Sequence, residues 1–436
     1  MTDDRVDGSG ELGGPRLSRR ALLRRGGWGA LGLAAGGSWA AAALGKPGTQ
    51  KTVALKRAGA APGKAGRAAV GTKNFHIAAT DGHIMLPGRP PLYIFGFAEA
   101  PVGAALEDIV YLKGNVTTPA PTIAVDQLDD VYITVTNLGF QFRPDLDDSH
   151  TIHWHGFPNQ SALFDGVPEV SIAVPAGRGF PYYYKPRRVG TFMYHCHFED
   201  VEHVQMGMDG NIFVRPSQNA GTATLPAGKY AFNDGNGSTR YNREFVLQLN
   251  EMDTRAHDAS ESIQEFKWSF YDANYYLING RAYPDTILPN TDPSLPEQPV
   301  SSLIQVNPGD KVLLRFSNLG YYQHAMQLPG IPMKVVGEDA AFLRGPGGAD
   351  LTYSTSTIYI GPGESRDVLV TAPAYDGSKP GDTDGSGDYN RYLLGNRSLA
   401  ALSNNGLPGL GGMATEVRVY KSSPLPAQTV PNETYL

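Results

Sequence analysis

Cysteine is almost absent from this 436-residue chain. Cys196 stands alone, which excludes any disulfide within the chain and leaves this thiol as a bystander, a ligand or a nucleophile. Charge is scarce too. Charged side chains make up 18% of the residues, and 37 basic against 43 acidic groups leave a net charge of −6, with no dominant basic patch beyond the first 70 residues. That argues against a nucleic-acid partner. Glycine (52) and proline (33) are plentiful, which favours turns and short strands over long helices, while 41% hydrophobic residues over this length allow two or three packed cores.

The first segment reads as an address. Ser18-Arg19-Arg20-Ala21-Leu22-Leu23-Arg24 is a twin-arginine block, followed to residue 44 by a glycine- and alanine-rich, weakly apolar stretch. A Tat-type signal peptide over 1–44 is expected, with export to the periplasm or the exterior. Residues 45–72 are rich in Lys, Ala, Gly and Pro without periodicity and read as a flexible linker.

Beyond it lies an internal repeat. Ile123-Ala124-Val125 through Gly139-Phe140 recurs 181 residues later as Ile304-Gln305-Val306 through Gly320-Tyr321, each copy strand, turn, strand. A second echo sets Val174-Pro175-Ala176-Gly177 against Ile360-Gly361-Pro362-Gly363. The expected organisation is all-β: two related β-sandwich domains over 73–216 and 241–421, a linker at 217–240 and a tail at 422–436.

Histidine is nearly missing from the second repeat. Eight of the ten fall between residues 76 and 203, leaving His257, expected in a solvated loop, and His324, expected as a hydrogen-bonded structural residue. In His150-Thr151-Ile152-His153-Trp154-His155-Gly156, strand alternation puts His153 and His155 on one face and His150 on the other. In His195-Cys196-His197 the two histidines share a face and Cys196 opposes them. Parity alone thus separates His150, Cys196, His203 and Met208 from His153, His155, His195 and His197. The first set has the composition of a blue-copper site, two imidazoles and a thiolate with a weak thioether. The second, four imidazoles, suits one or two copper ions open to a small ligand such as dioxygen, and zinc less well. His76 and His83 are expected to flank a hairpin around Asp81-Gly82, in surface or packing roles.

At these residues the sequence resembles the multicopper oxidases. HxxHxHG is matched at 150–156, and HCHx3Hx4M at 195–208 with two extra residues before its last histidine. The resemblance implies two cupredoxin-like Greek-key domains. It also implies type 1 copper at His150, Cys196, His203 and Met208, and half of a type 2/type 3 cluster at His153, His155, His195 and His197, with Cys196, His195 and His197 carrying the electron path. A full cluster in that family takes eight histidines from two domains. Here Gln327 and Pro329 stand where two of the others would be, and Tyr392-Leu393-Leu394-Gly395-Asn396 has neither His nor Cys.

Three ways of accounting for this follow: an incomplete cluster, two first domains from different chains facing each other, or recruitment of His76 and His83. The implied function is a laccase-type oxidoreductase, in which a small-molecule, metal-ion or protein donor is oxidised at type 1 copper and dioxygen is reduced at the histidine-rich site, with a homo-oligomer completing that site. The alternatives are a blue-copper electron-transfer or copper-binding protein with a vestigial second site, and a nitrite reductase. The last fits poorly, because that group resembles HxxDxH and HCA where this chain has His153 and His197.

Overall fold

The structure is a computed structural model and describes residues 70–435 apart from 160, 380 and 382. The signal and most of the linker expected at the N-terminus lie outside the described residues. Eight strands form the first half: β1 (Thr72–Ile84), β2 (Leu92–Glu99), β3 (Ala120–Asp126), β4 (Asp130–Asn137), β5 (His153–His155), β6 (Arg178–Tyr184), β7 (Gly190–His195) and β8 (Asp209–Arg215). They make two four-stranded sheets, ordered β2-β1-β4-β6 and β3-β8-β7-β5. Alternation decides which side chains meet between them: in β4, Val131, Ile133 and Val135 are buried while Tyr132 faces outward. Their partners in the same core are Ile123 and Val125 of β3, Phe192 and Tyr194 of β7, and Ile212 and Val214 of β8.

The second half repeats this plan with β9 (Arg243–Met252), β10 (Tyr275–Ile278), β11 (Ile304–Val306), β12 (Lys311–Asn318), β13 (His324–Gln327) and β14 (Met333–Glu338), followed by β15 (Ala341–Phe342), β16 (Tyr353–Thr355), β17 (Thr357–Ile360), β18 (Ser365–Thr371), β19 (Tyr389–Asn396) and β20 (Ala414–Tyr420). A seven-stranded sheet, β10-β9-β12-β18-β14-β15 with β16 on β14, faces a five-stranded one, β11-β20-β19-β13-β17. The sequence repeat reappears as equivalent pairing. β4 and β12 run parallel to β1 and β9, and β3 and β11 run parallel to β8 and β20.

The two sandwiches meet through polar groups that fix β7 and β8. The Thr191 hydroxyl donates to Asp367 (2.6 Å), and the Ser365 hydroxyl donates to the Thr191 carbonyl (2.7 Å). Buried Arg315 bridges Glu244 and Asp367. Gln248 and Asn250 donate to Asp209, the residue paired with His195 across the β7–β8 ladder. A buried ion pair of this kind adds little net stability but leaves an uncompensated charge if one partner is lost, so it ties down geometry.

Two local expectations are corrected. Asp81-Gly82 is not a turn: β1 runs straight through it, because the Asp81 carboxylate accepts from the backbone N–H of Gln141 and Phe142 and from the Tyr93 hydroxyl. His257 is not in a solvated loop. It lies on a helix, Thr254–Glu261, capped by the Asp253 side chain, is fully buried, and its Nδ1 donates to the Tyr93 carbonyl (2.6 Å). The stretch expected as a linker at 217–240 is packed, with Ala231 and Phe232 in a cluster with Val189 and Val336. The tail is packed too: Asn432 exchanges hydrogen bonds with both backbone groups of Val246.

Candidate metal centre

β7 ends at His195 and β8 begins at Asp209, and the connection between them carries a short helix, α1 (Asp200–Gln205), whose fourth residue, His203, faces back onto Cys196. This helix accommodates the two extra residues of the motif. Its return depends on Gly207, at φ +112°, where a Cβ would stand 2.9 Å from the Phe95 carbonyl oxygen. The loop closes with Cys196 N–H on the Met208 carbonyl (3.0 Å) and Met208 N–H on the His203 carbonyl (2.9 Å).

His150, Cys196, His203 and Met208 are all fully buried. The Cys196 sulfur lies 3.3 Å from His203 Nδ1 and 3.9 Å from His150 Nδ1, and the two imidazole rings are 5.0 Å apart. The sulfur also accepts the Thr151 N–H at 3.4 Å, while the Thr151 hydroxyl accepts from His197 N–H, which locks the strand carrying the motif. Burial holds the His150 imidazole well below its usual proton affinity. Burial acts in the same direction on His203, but the Cys196 sulfur and the Asp148 carboxylate outweigh it and push its pKa up to about 10. A positive charge beside this sulfur is thus stabilised. Ligand atoms of His150, Cys196 and His203 lie within 4.8 Å of one another, with no water-exposed side. This donor set, soft sulfur with imidazole, fits copper.

The second cluster is built on the cross-strand pair His153 and His195 of β5 and β7. Ligand atoms of His153, His155 and His195 lie within 4.8 Å of one another, and the His197 ring is 5.1 Å from that of His153. His153 Nδ1 donates to the Asp165 carbonyl (2.7 Å), and His195 Nδ1 to the Cys196 carbonyl (2.8 Å), so each offers the lone pair of Nε2. Burial lowers the proton affinity of His153 and His155 and takes His195 down to about 3. These three imidazoles are therefore neutral at pH 7 and open to a cation. The two clusters share Cys196: its side chain serves one and its carbonyl orients a member of the other.

The second half holds no comparable set among the described residues. His324 is buried; its Nε2 donates to Glu251 (2.8 Å), and Nδ1 accepts from the Asn396 amide (3.1 Å), which also donates to Met413 sulfur (3.3 Å). A closed hydrogen-bond network occupies the place that His150, Cys196 and Met208 hold in the first half. Both His76 nitrogens are taken, by Pro101 and Thr136, and His83 pairs with Glu261, so neither joins the four histidines. Asp165 and Asp148 had no sequence signal of their own. Each acts through a loop that folds back on the strands.

A sequence profile described as multicopper oxidase matches residues 107–219, and a second with the same description matches residues 244–379. The chain belongs to the multicopper oxidase family. Copper is the cofactor this membership brings, and the Cys196 cluster has the donors for it. Among curated relatives, Laccase-3 of Oryza sativa subsp. japonica is 27% identical over 278 residues, covering 63% of this chain and 42% of that one. Laccase-5 of Arabidopsis thaliana is 25% identical, covering 70% and 44%. The chain thus spans less than half the length of these laccases. Among solved structures, the blue copper oxidase from Nitrosomonas europaea is 24% identical with a TM-score of 0.58, covering 80% of this chain and 86% of that one. The copper nitrite reductase from Nitrosomonas europaea is 16% identical with a TM-score of 0.55, covering 82% and 98%. These likenesses speak to the fold.

Met208 gives a local test of the first cluster. Met208→Leu is expected to keep the blue colour and raise the reduction potential, because a thioether is a weak donor that helps the oxidised ion. Redox titration of the visible band reads this directly, and a lost band or a lowered potential counts against Met208 as the axial ligand.

Proposed function

We propose that this multicopper oxidase family member is an exported, copper-dependent oxidoreductase of laccase type, which removes single electrons from a donor at the Cys196 cluster and reduces dioxygen at the four-histidine cluster. The observation that carries the proposal is the junction at Cys196, which joins two chemically different clusters through one residue. When bound, copper supplies a one-electron carrier at the first cluster and a centre for dioxygen at the second.

The chain's own part is to hold and separate these places. His150, Cys196, His203 and Met208 exclude water completely, which keeps the surroundings rigid as charge changes. His153 and His155 are only half-buried, which leaves their cluster open to a small molecule. The His195 Nδ1–H on the Cys196 carbonyl adds a hydrogen-bonded link to the covalent one. Donor identity is left to three classes, a phenolic or other small molecule, a metal ion, or a protein. The twin-arginine block at 18–24 supports export, and a second copy of the chain is a candidate partner.

The losses at Gln327, Pro329 and Asn396 favour the other reading, a blue-copper electron carrier with an idle second cluster. Copper analysis of the purified protein, with dioxygen uptake driven by a phenolic donor, separates the two. More than one copper per chain with donor-dependent uptake is expected; a single copper and no uptake with any donor would establish the carrier instead.

A further inference from the structure

Away from the two clusters, one carboxylate points into the first sandwich. Along β2, Tyr93, Phe95 and Phe97 lie in its core, and strand alternation puts Glu99 on the same face. Glu99 nevertheless stays exposed, because the space it faces is open. This space is a cavity of about 460 Å³, walled by Phe75 and Ile77 of β1, Ile123 of β3, and Pro299 and Val300 from the second half. His76 also borders it, but both of its nitrogens are engaged by Pro101 and Thr136. No Lys or Arg lines the cavity, and the Glu99 carboxylate forms no hydrogen bond or ion pair among the described residues.

The cavity follows from the way this edge of the sandwich is built. β2 and β3 are edge strands of their two sheets, and they adjoin there. β3 bulges between Ala120 and Ile123, where three steps on β3 answer two on β8. The bulge holds Pro121 and Thr122 off the ladder, and the Pro121 carbonyl instead accepts the Tyr194 hydroxyl (2.7 Å). Across the opening, the Thr118 N–H donates to the Glu297 carbonyl (2.8 Å), which brings Pro299 and Val300 over the gap. An inward charge can serve to keep an edge strand from pairing with another chain. That role is already filled here. Thr117 bridges Phe97 on the open side of β2, and Pro121 gives the edge of β3 no N–H to offer.

We propose that this cavity binds a small apolar monocation, an alkyl or arylalkyl ammonium, whose body covers the apolar walls and whose ammonium meets Glu99. Its volume falls within the range of about 300–1,000 Å³ usual for ligand sites, which combine mostly apolar walls with a few placed polar groups. The carboxylate selects the charge. A neutral ligand filling the space would strip water from Glu99 and return no partner, whereas an ammonium replaces that water with a charge-assisted hydrogen bond. An anion would meet a like charge. The site is distinct from both histidine clusters and takes no part in the oxidase chemistry proposed above.

The test is calorimetric titration of the full, copper-loaded chain with phenethylammonium as the probe, and with phenethyl alcohol and hydrocinnamate as its neutral and anionic counterparts. Saturable binding of the ammonium is expected, with the alcohol weaker and the anion unbound. Glu99→Gln keeps the shape of the side chain and removes the charge; it is expected to weaken the ammonium by about 5- to 10-fold and to leave the alcohol unchanged. Glu99→Lys should reverse the preference, so that hydrocinnamate binds in place of the ammonium. Glu99 is exposed at the end of its strand, so both variants are expected to fold, and unchanged melting temperatures check this. An amine can also ligate copper, so the titration is repeated on His153→Ala/His155→Ala, which should bind the ammonium as wild type does. Absence of saturable binding in wild type, equal affinity for ammonium and alcohol, an unaltered Glu99→Gln, or loss of binding in the histidine variant would each overturn the proposal.

Discussion

Cys196→Ser is expected to bleach the copper-loaded protein and to end turnover with every donor. The intense visible band of a blue site arises from charge transfer between a thiolate and Cu(II), and this chain has one sulfur able to become a thiolate. A serine hydroxyl at this position cannot ionise near neutral pH, and its oxygen is a harder donor than sulfur. The substitution also removes the sulfur that both His150 and His203 face through Nδ1. The fold should survive, because serine is smaller than cysteine and the Thr151 N–H still has an acceptor in reach. Visible absorption, copper content and dioxygen uptake are the three measurements. A blue Cys196→Ser variant, or a copper-replete wild type without the band, would falsify the assignment of the first cluster.

The second large effect is expected from changing His153 and His155 together to Ala. Both sit on β5, on the face opposite His150, so the blue band should persist with nearly its full intensity. Dioxygen uptake should fall to background and copper per chain should drop, because the pair His153 and His195 across β5 and β7 is broken and His155 Nδ1 no longer meets His195 Nε2. His324→Ala is the control. It should leave colour and uptake in place while lowering stability by about 1–3 kcal/mol, since the buried Glu251 carboxylate and Asn396 amide each lose a partner. Thermal melts read the second effect and oxygen electrodes the first. Full oxidase activity in the double variant would place dioxygen chemistry elsewhere; a bleached double variant would mean that the two clusters are not separable by face.

The removal of the cluster in the second half is a matter of replacement rather than vacancy. Asn396 is the last residue of β19, and its N–H donates to the Met413 carbonyl as Cys196 N–H, just past β7, donates to that of Met208. Its amide donates to a histidine and a methionine sulfur, the same two residue types that flank the cysteine in the first half. A thiolate among these groups calls for a cation, whereas an amide supplies its own hydrogens. That change suffices to turn a ligand set into a hydrogen-bond network. His324 was legible in the sequence as a structural residue because it lacked a cysteine partner. Its acceptor, Glu251, was not legible, being 73 positions away on β9.

What the sequence determined by itself was whatever depends on neighbours in the chain. Side chains alternate along a strand, so the spacing in His150 to His155 and in His195 to His197 already assigns each residue to a face, and with it the division into a sulfur-containing cluster and an all-histidine one. The repeat at 123–140 and 304–321 likewise carried the equivalence of β3 with β11 and of β4 with β12, since homologous strands pair in the same order. Only the tertiary structure decided what surrounds those faces. It put His257 into a buried helix, drew β1 straight through Asp81-Gly82, and set Asp165 beside His153 and Gly363 beside His155. The physical reason is the same in each case. These contacts join residues whose separation in sequence bears no relation to strand periodicity, so they exist only once the sandwiches have packed and polar groups such as Asp81 and Asp367 have found partners from distant loops.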